Sequence, residues 1–245
     1  MTDASLLTVH AGRTVCWFSC GAASAVASKL ICDEIPDAIV VRCIVENEHP
    51  DNNRFAVEIS RWIGKEIIEL RSKRYVDCWD VWRSRRFLNS PAGALCSVEM
   101  KKVVRRVFQK PDDMHVFGFT AEEKKRAETY LLHNPESARF PLIEKGITKS
   151  MCFEILMGAN IELPVMYRLG YNNANCIGCV KGGKGYWNKI RRDFPEVFKR
   201  MSDLEDEIGA TVINGTPLRE LPINAGRKQD LHLPECGLFC GKSND

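Results

Sequence analysis

Over about its first half, this 245-residue chain alternates short apolar runs with longer amphipathic stretches, and that alternation constrains its fold more than any other feature. Thr14-Val15-Cys16-Trp17-Phe18 reads as a buried strand, and residues 24–31 as the helix that follows it. Residues 38–45, 66–70 and 114–118 read as three further strands. Helices are expected over residues 53–64 and, with a basic face, over residues 98–108. Continuous apolar strands separated by helix-length segments suit a parallel sheet covered on both faces, because each parallel connection must cross back over the sheet. The expectation is therefore an α/β fold with a doubly wound parallel sheet. Any ligand belongs at the edge formed by the C-terminal ends of the strands.

After about residue 145 the pattern changes. Helices are expected over residues 149–158, 186–193 and 195–208, with no further strong strand, and from Asn214 onward Gly, Pro and Asn recur. The organisation read from this is a nucleotide-type α/β domain over residues 1–145, a helical, cysteine-bearing extension over 146–213 and an extended tail over 214–245, forming one structural unit. A 44% hydrophobic and 27% charged composition excludes a disordered or fibrous chain. The net charge of +3 is too mild to call for nucleic acid, which stays open as a partner without being indicated by charge. No apolar run is long enough for a spanning helix, and Met1-Thr2-Asp3-Ala4-Ser5 does not open a basic-then-apolar leader. A cytoplasmic location with no membrane partner is the expectation.

Eleven cysteines in a chain expected in a reducing compartment point to thiol, metal or cluster chemistry for some of them. Cys16, Cys32, Cys43, Cys78 and Cys152 sit among apolar neighbours and read as packing residues. Cys176-Ile177-Gly178-Cys179 lies in a polar, Asn-rich stretch, and its spacing lets two thiolates reach one metal ion or cluster. Zinc, iron–sulfur, a redox-active pair and a loop without ligand all remain open on spacing alone. Cys236 stands outside any periodic apolar segment, as a nucleophile, an exposed thiol or a metal ligand would.

Ser19-Cys20-Gly21-Ala22-Ala23-Ser24 joins the first strand to the first helix. Small residues there allow close backbone approach, and the helix start offers N–H groups to an anion. No Gly-Lys-Ser/Thr follows, so this is not a Walker loop; a tight turn without ligand is the alternative. Lys101, Lys102, Arg105 and Arg106 read mainly as a solvated helix face. Lys181-Gly182-Gly183-Lys184-Gly185 reads as a flexible cationic loop able to meet phosphate or a nucleic-acid backbone.

Phe18-Ser19-Cys20-Gly21-Ala22-Ala23-Ser24-Ala25-Val26 resembles the modified PP-loop of the phosphoadenosine phosphosulfate (PAPS) reductase family, within the adenine nucleotide α-hydrolase-like (PP-loop) superfamily. Ala23 stands where ATP-cleaving relatives carry an acidic residue, which points away from ATP cleavage and leaves nucleotide binding intact. Further stretches resemble the family's landmarks in order. Residues 45–51 resemble its acidic loop, and Cys96-Ser97-Val98-Glu99-Met100-Lys101 its Cys-Cys-x-x-x-Lys segment with Ser97 in place of the second cysteine. Gly118 through Arg126 keeps the glycine and final arginine of another loop. Leu163-Pro164 through Cys179 and Glu235-Cys236-Gly237-Leu238 complete the series.

The resemblance implies an adenine nucleotide held by Ser19, Cys20, Gly21, Ala22, Ala23, Ser24, Lys101 and Arg126. It also implies a [4Fe–4S] cluster, or zinc as the alternative, on Cys96, Cys176, Cys179 and Cys240, with one position open if Cys240 does not bind. The implied activity is that of a sulfonucleotide (PAPS/APS) reductase-like oxidoreductase of sulfur metabolism that splits an S–O linkage and releases sulfite. Cys236 would be its catalytic nucleophile, the substrate an adenosine sulfonucleotide or ATP, and the thiol donor of the thioredoxin or glutaredoxin kind; there is room for a homodimer. Two alternatives are a PP-loop ATP-dependent sulfurtransferase modifying tRNA or DNA with an iron–sulfur cluster, against which Ala23 argues, and a non-catalytic nucleotide sensor or nucleic-acid-binding module, against which Cys236 argues.

Overall fold

The structure is a computed structural model that describes residues 12–90, 93–134, 136–227, 229 and 233. Its first half runs β1 (Thr14–Trp17), α1 (Ala22–Glu34), β2 (Ile39–Cys43), α2 (Asp51–Ile63), β3 (Ile67–Leu70) and α3 (Cys78–Arg85). A short hairpin, β4 (Asn89–Ser90) and β5 (Gly93–Ala94), leads into α4 (Leu95–Ser97), a π-helical turn (Val98–Lys102), α5 (Val103–Phe108) and β6 (Met114–Val116). The chain continues through a 3-10 turn (Ala121–Glu123), α6 (Lys124–His133), β7 (Ala138–Arg139), α7 (Pro141–Glu144) and α8 (Lys149–Gly158). It ends in α9 (Val165–Arg168), α10 (Lys184–Asp193), α11 (Pro195–Ile208) and a 3-10 turn (Leu218–Glu220).

Five strands form one all-parallel sheet in the order β3-β2-β1-β6-β7. Val15 of β1 pairs with Ile39 on one side and His115 on the other. Successive side chains of a strand face opposite ways, and the two faces have separate cores. Cys16, Val40 and Val116 pack on one face with α1, α2 and α8. Val15, Trp17, Val41 and Cys43 pack on the other with Val104 of α5 and Ala127 and Tyr130 of α6. Helices on both faces of a parallel sheet bear out the α/β expectation.

The sheet winds outward from β1 through β2 to β3, then in the opposite direction through β6 to β7. The direction of winding reverses between β1 and β6, and in open α/β sheets ligands bind outside the strand C-termini at such a reversal.

A third core unites segments far apart in sequence. Tyr75, Cys78, Trp79, Trp82, Leu88 and Met100 pack with Met166, Tyr171, Cys176, Tyr186, Trp187, Ile190, Met201 and Leu218. The stretch around α3 thus shares a core with α10 and α11, whereas α8 belongs to the first core with α1. Leu218 is fully buried, and the segment carrying it is fastened by Glu205, whose carboxylate accepts from the Val212 and Leu218 N–H groups, both at 2.7 Å. The described part of the tail is therefore packed onto α11.

Several elements differ from the sequence expectation. The fifth strand, β7, is two residues long, too short to leave an alternating or apolar signature. The eight-residue α3 is set by its cap, with the Asp77 carboxylate accepting the Asp80 N–H at 2.8 Å. The helix expected over residues 98–108 is interrupted by the π-helical turn, and Glu99, Met100 and Lys101 are all buried in consequence. Lys101 and Arg105 face inward, paired with Glu48 and Glu136, instead of lining a solvated face.

Candidate functional site

The Ser19–Ser24 loop leaves the C-terminal end of β1 at the reversal point. Ser24 stitches it closed: its Oγ accepts from the Ser19 N–H at 3.1 Å and the Ser19 hydroxyl at 3.0 Å, and donates to the Gly21 carbonyl at 2.9 Å. Helix α1 opens without a side-chain cap and without an acidic residue in its first turn. The positive end of its dipole is therefore not offset locally, a setting that favours an anion. Gly118, just past β6, packs directly on this loop, where a Cβ would lie 2.5 Å from Ser24 Cα and 2.6 Å from Ser24 N. Only a residue without a side chain lets the segment after β6 meet the start of α1 so closely. Cys20 takes a left-handed conformation, φ 57°, inside the loop. Its thiol donates to the Asn52 carbonyl at 3.7 Å, and burial pushes its pKa up, so it serves the loop's shape as a neutral thiol.

Lys101 reaches the same region through a buried relay. Its Nζ lies 3.1 Å from Glu48 Oε1, the other Glu48 oxygen accepts from Asn52 Nδ2 at 3.1 Å, and Asn52 in turn receives the Cys20 thiol. Arg126 pairs with Glu123 and lies 4.3 Å over the Phe119 ring, one residue beyond Gly118. The structure thus brings Lys101 to the Ser19–Ser24 loop through Glu48 and Asn52, and Arg126 to the neighbouring β6 loop. On a further side, Tyr167 accepts the Ala22 N–H at 3.3 Å and lines an open cavity of about 420 Å³ together with Lys149, Phe153 and Arg168. That size lies within the usual range for small-molecule sites.

The cysteines form the second half of the site. Cys176 and Cys179 sit in a tight turn closed by Tyr186, whose hydroxyl accepts the Cys179 N–H at 2.9 Å and donates to the Cys176 carbonyl at 3.3 Å. Gly178 between them has φ 77°, and a Cβ there would fall 2.7 Å from Val197 Cγ1. The Gly182 N–H donates to the Cys179 carbonyl and α10 starts at Lys184, so Lys181–Gly183 close a turn and Lys184 and Gly185 begin a helix where a flexible loop was expected.

Cys78, read from sequence as a packing residue, is also part of this group. Its thiol contacts the thiols of both Cys176 and Cys96. Hydrogen bonding from Cys78 holds the Cys96 thiol below its ordinary pKa, while Cys78, fully enclosed, keeps its proton. The Trp82 N–H and the buried Ser97 hydroxyl beside Cys96 have no hydrogen-bond partner among the described residues. Nothing in the local sequence marks Cys78 apart from other apolar-flanked cysteines; its partners come from other elements.

Asn47 ties the two halves together. Its side-chain carbonyl accepts the Cys78 N–H at 2.7 Å, and its backbone carbonyl accepts the Ile177 N–H at 2.8 Å. The next residue, Glu48, belongs to the Lys101 relay. A single loop after β2 therefore touches the cysteine group with one residue and the Lys101–Asn52 relay with the next.

Among the described residues, no group of three or more His, Cys, Asp or Glu side chains is arranged to hold a metal ion. The thiols meet pairwise through Cys78. Cys236 and Cys240 lie outside the described residues; Leu233 accepts a hydrogen bond from Asn173, three residues before Cys176. No helix among the described residues is long and apolar enough to cross a membrane. No protein-family model matches the chain, and no curated protein matches it in sequence.

Proposed function

We propose that the chain is a PAPS reductase-like enzyme of the PP-loop superfamily that binds an adenosine sulfonucleotide at the reversal point and performs thiol chemistry on its sulfonate. The observation that carries this reading is the double role of residues 47 and 48: Asn47 holds the cysteine-bearing segments, and Glu48 leads through Asn52 to the phosphate loop. A nucleotide phosphate over the start of α1 would thereby lie next to a sulfur-rich pocket. The capless, carboxylate-free first turn of α1 supports an anionic ligand.

Thiols are the residue type that suits a soft-metal centre, although among the described residues no three of them are arranged to hold a metal ion. Cys96, Cys176 and Cys179 would hold a [4Fe–4S] cluster or zinc, with Cys240 as a further ligand. When bound, such a group supplies local positive charge that tunes neighbouring thiolates.

The reaction is a two-stage thiol relay. The Cys236 thiolate attacks the sulfonate sulfur, an S–S bond forms, the S–O bond breaks, and the adenine nucleotide leaves with the electron pair. A dithiol donor of the thioredoxin or glutaredoxin class then attacks Cys236 Sγ and expels sulfite. The donor's second thiolate resolves the mixed disulfide, so the donor is oxidised to its disulfide and the sulfonate is reduced by two electrons.

The test is anaerobic incubation of purified protein with adenosine sulfonucleotide in the absence of reductant. The expected product is one sulfonate adduct on the Cys236 peptide, with sulfite released only after dithiol is added. Cys236→Ser should bind nucleotide and form no adduct. Sulfite release by Cys236→Ser, or binding without adenine preference, overturns the reading. ATP-dependent pyrophosphate exchange would replace it with sulfur transfer.

A further inference from the structure

The stretch from Leu163 to Asn172 follows α8, and the thiol chemistry above makes no use of it. It builds one wall of the open cavity of about 420 Å³ beside the start of α1, and Lys149 and Phe153 of α8 build another. The walls meet ring to ring: Phe153 and Tyr167 lie 5.1 Å apart at 68°, edge to face. Both rings are only partly buried, so each keeps surface that a ligand can cover. The charged residues of the lining are both cations. Lys149 Nζ sits 5.6 Å from the centre of the Tyr167 ring and donates to two neutral oxygens, the Asn172 carbonyl and Asn173 Oδ1, neither of which cancels its charge. Arg168 forms an exposed pair with Glu162 at 2.8 Å. Tyr167 also joins the cavity to the sheet's reversal point, because its hydroxyl accepts the N–H of Ala22, the first residue of α1, at 3.3 Å. An anion at that helix start therefore has an aromatic, cationic hollow directly beside it.

We propose that this cavity is the subsite for the planar ring of an aromatic anion, which in the reading above is the adenine of the nucleotide whose phosphate meets the start of α1. The assignment rests on that reading and names the residues that receive the base. Phe153 and Tyr167 give it ring surface to stack on, and Lys149 stands beside them to meet negative groups of the ligand. The Lys101 relay, which reaches the same loop from α2, is made of charged, amide and thiol groups and suits the anionic end instead. A mostly apolar hollow with a few placed polar groups is the usual form of a small-molecule site.

The experiment titrates AMP and inorganic phosphate by calorimetry into the full chain as wild type, Phe153→Ala, Phe153→Tyr and Met157→Ala. Met157 is exposed on the same helix and outside the cavity, so its variant is the control. AMP affinity should fall by about ten-fold in Phe153→Ala, in line with the loss of one stacking ring, and stay within about two-fold of wild type in Phe153→Tyr and Met157→Ala. Phosphate affinity should be the same in all four. A second measurement needs no variant: in the wild-type complex, nuclear Overhauser effects should connect the adenine protons to the rings of Phe153 and Tyr167. Equal AMP affinity in wild type and Phe153→Ala, or adenine protons without contact to either ring, overturns the subsite and leaves the nucleotide reading in place. Parallel losses of AMP and phosphate in Phe153→Ala would assign the ring to the fold and overturn the subsite too. A wild type that binds no AMP overturns the nucleotide reading itself.

Discussion

At the scale of single residues, the Ser19–Ser24 loop stores strain in Cys20. A non-glycine residue at φ 57° carries a left-handed penalty of about 1–2 kcal/mol. Elsewhere alanine is the more stabilising replacement, because glycine gains more entropy on unfolding. At position 20 the order should reverse. Cys20→Gly is expected to be more stable than Cys20→Ala by about 1 kcal/mol, read from denaturant midpoints at constant slope. Alanine equal to or better than glycine would mean that the loop is not left-handed at this position. This strain could not be read from the sequence, where Cys20 was legible only as a small residue; the conformation is imposed by Ser24 bonding back to Ser19 and Gly21.

At the scale of elements, legibility followed length and periodicity. Helices α8 and α11 match their expected bounds because each is a long segment with clear end signals, Pro195 at the start of α11 and Gly209 at its end. The π-helical turn was hidden because a slipped register leaves no mark on the apolar pattern, yet it is what turns Lys101 towards Glu48. The Cys-x-x-C was legible because both thiols fall within one turn. Cys78 was not, because its partners come from α4 and the turn before α10. Helix α11 carries its own test. Glu205 accepts two buried backbone N–H groups, so Glu205→Ala leaves both unpaired and should cost about 3 kcal/mol, with Glu205→Gln intermediate. A loss within about 0.5 kcal/mol in urea titration would show that Glu205 does not hold the segment.

At the scale of the whole molecule, stability should depend on acid through the centre of the sheet. His115 of β6 is fully buried and accepts the Trp17 indole N–H at 3.0 Å on Nδ1, and burial lowers its pKa from 6.5 to about 4. The unfolded chain takes up this proton below pH 6.5, whereas the folded chain refuses it until about pH 4. Stability is therefore full above pH 6.5 and declines as pH falls to about 4, by up to roughly 3 kcal/mol. His115→Gln, which keeps an acceptor for Trp17, should flatten that part of the stability–pH curve; an unchanged slope would assign it to other groups. The sheet order and its reversal point were within reach of the sequence, since four of the five strands were apparent, whereas the third core was not, because it joins regions distant along the chain.

The bracket made by Asn47 has a consequence for how the protein is born. Cys78 and Cys96 leave the ribosome well before Cys176 and Cys179. Roughly 80 residues of further synthesis at about 5–20 residues per second leave the first pair waiting on the order of 4–16 s. All five sheet strands have been synthesised by residue 139, so for the later part of that interval the nascent chain can hold a nearly finished parallel sheet beside half of the cysteine group. Asn47 already grips Cys78 while its own carbonyl awaits Ile177. The cysteine group is thus completed late in the synthesis of the chain.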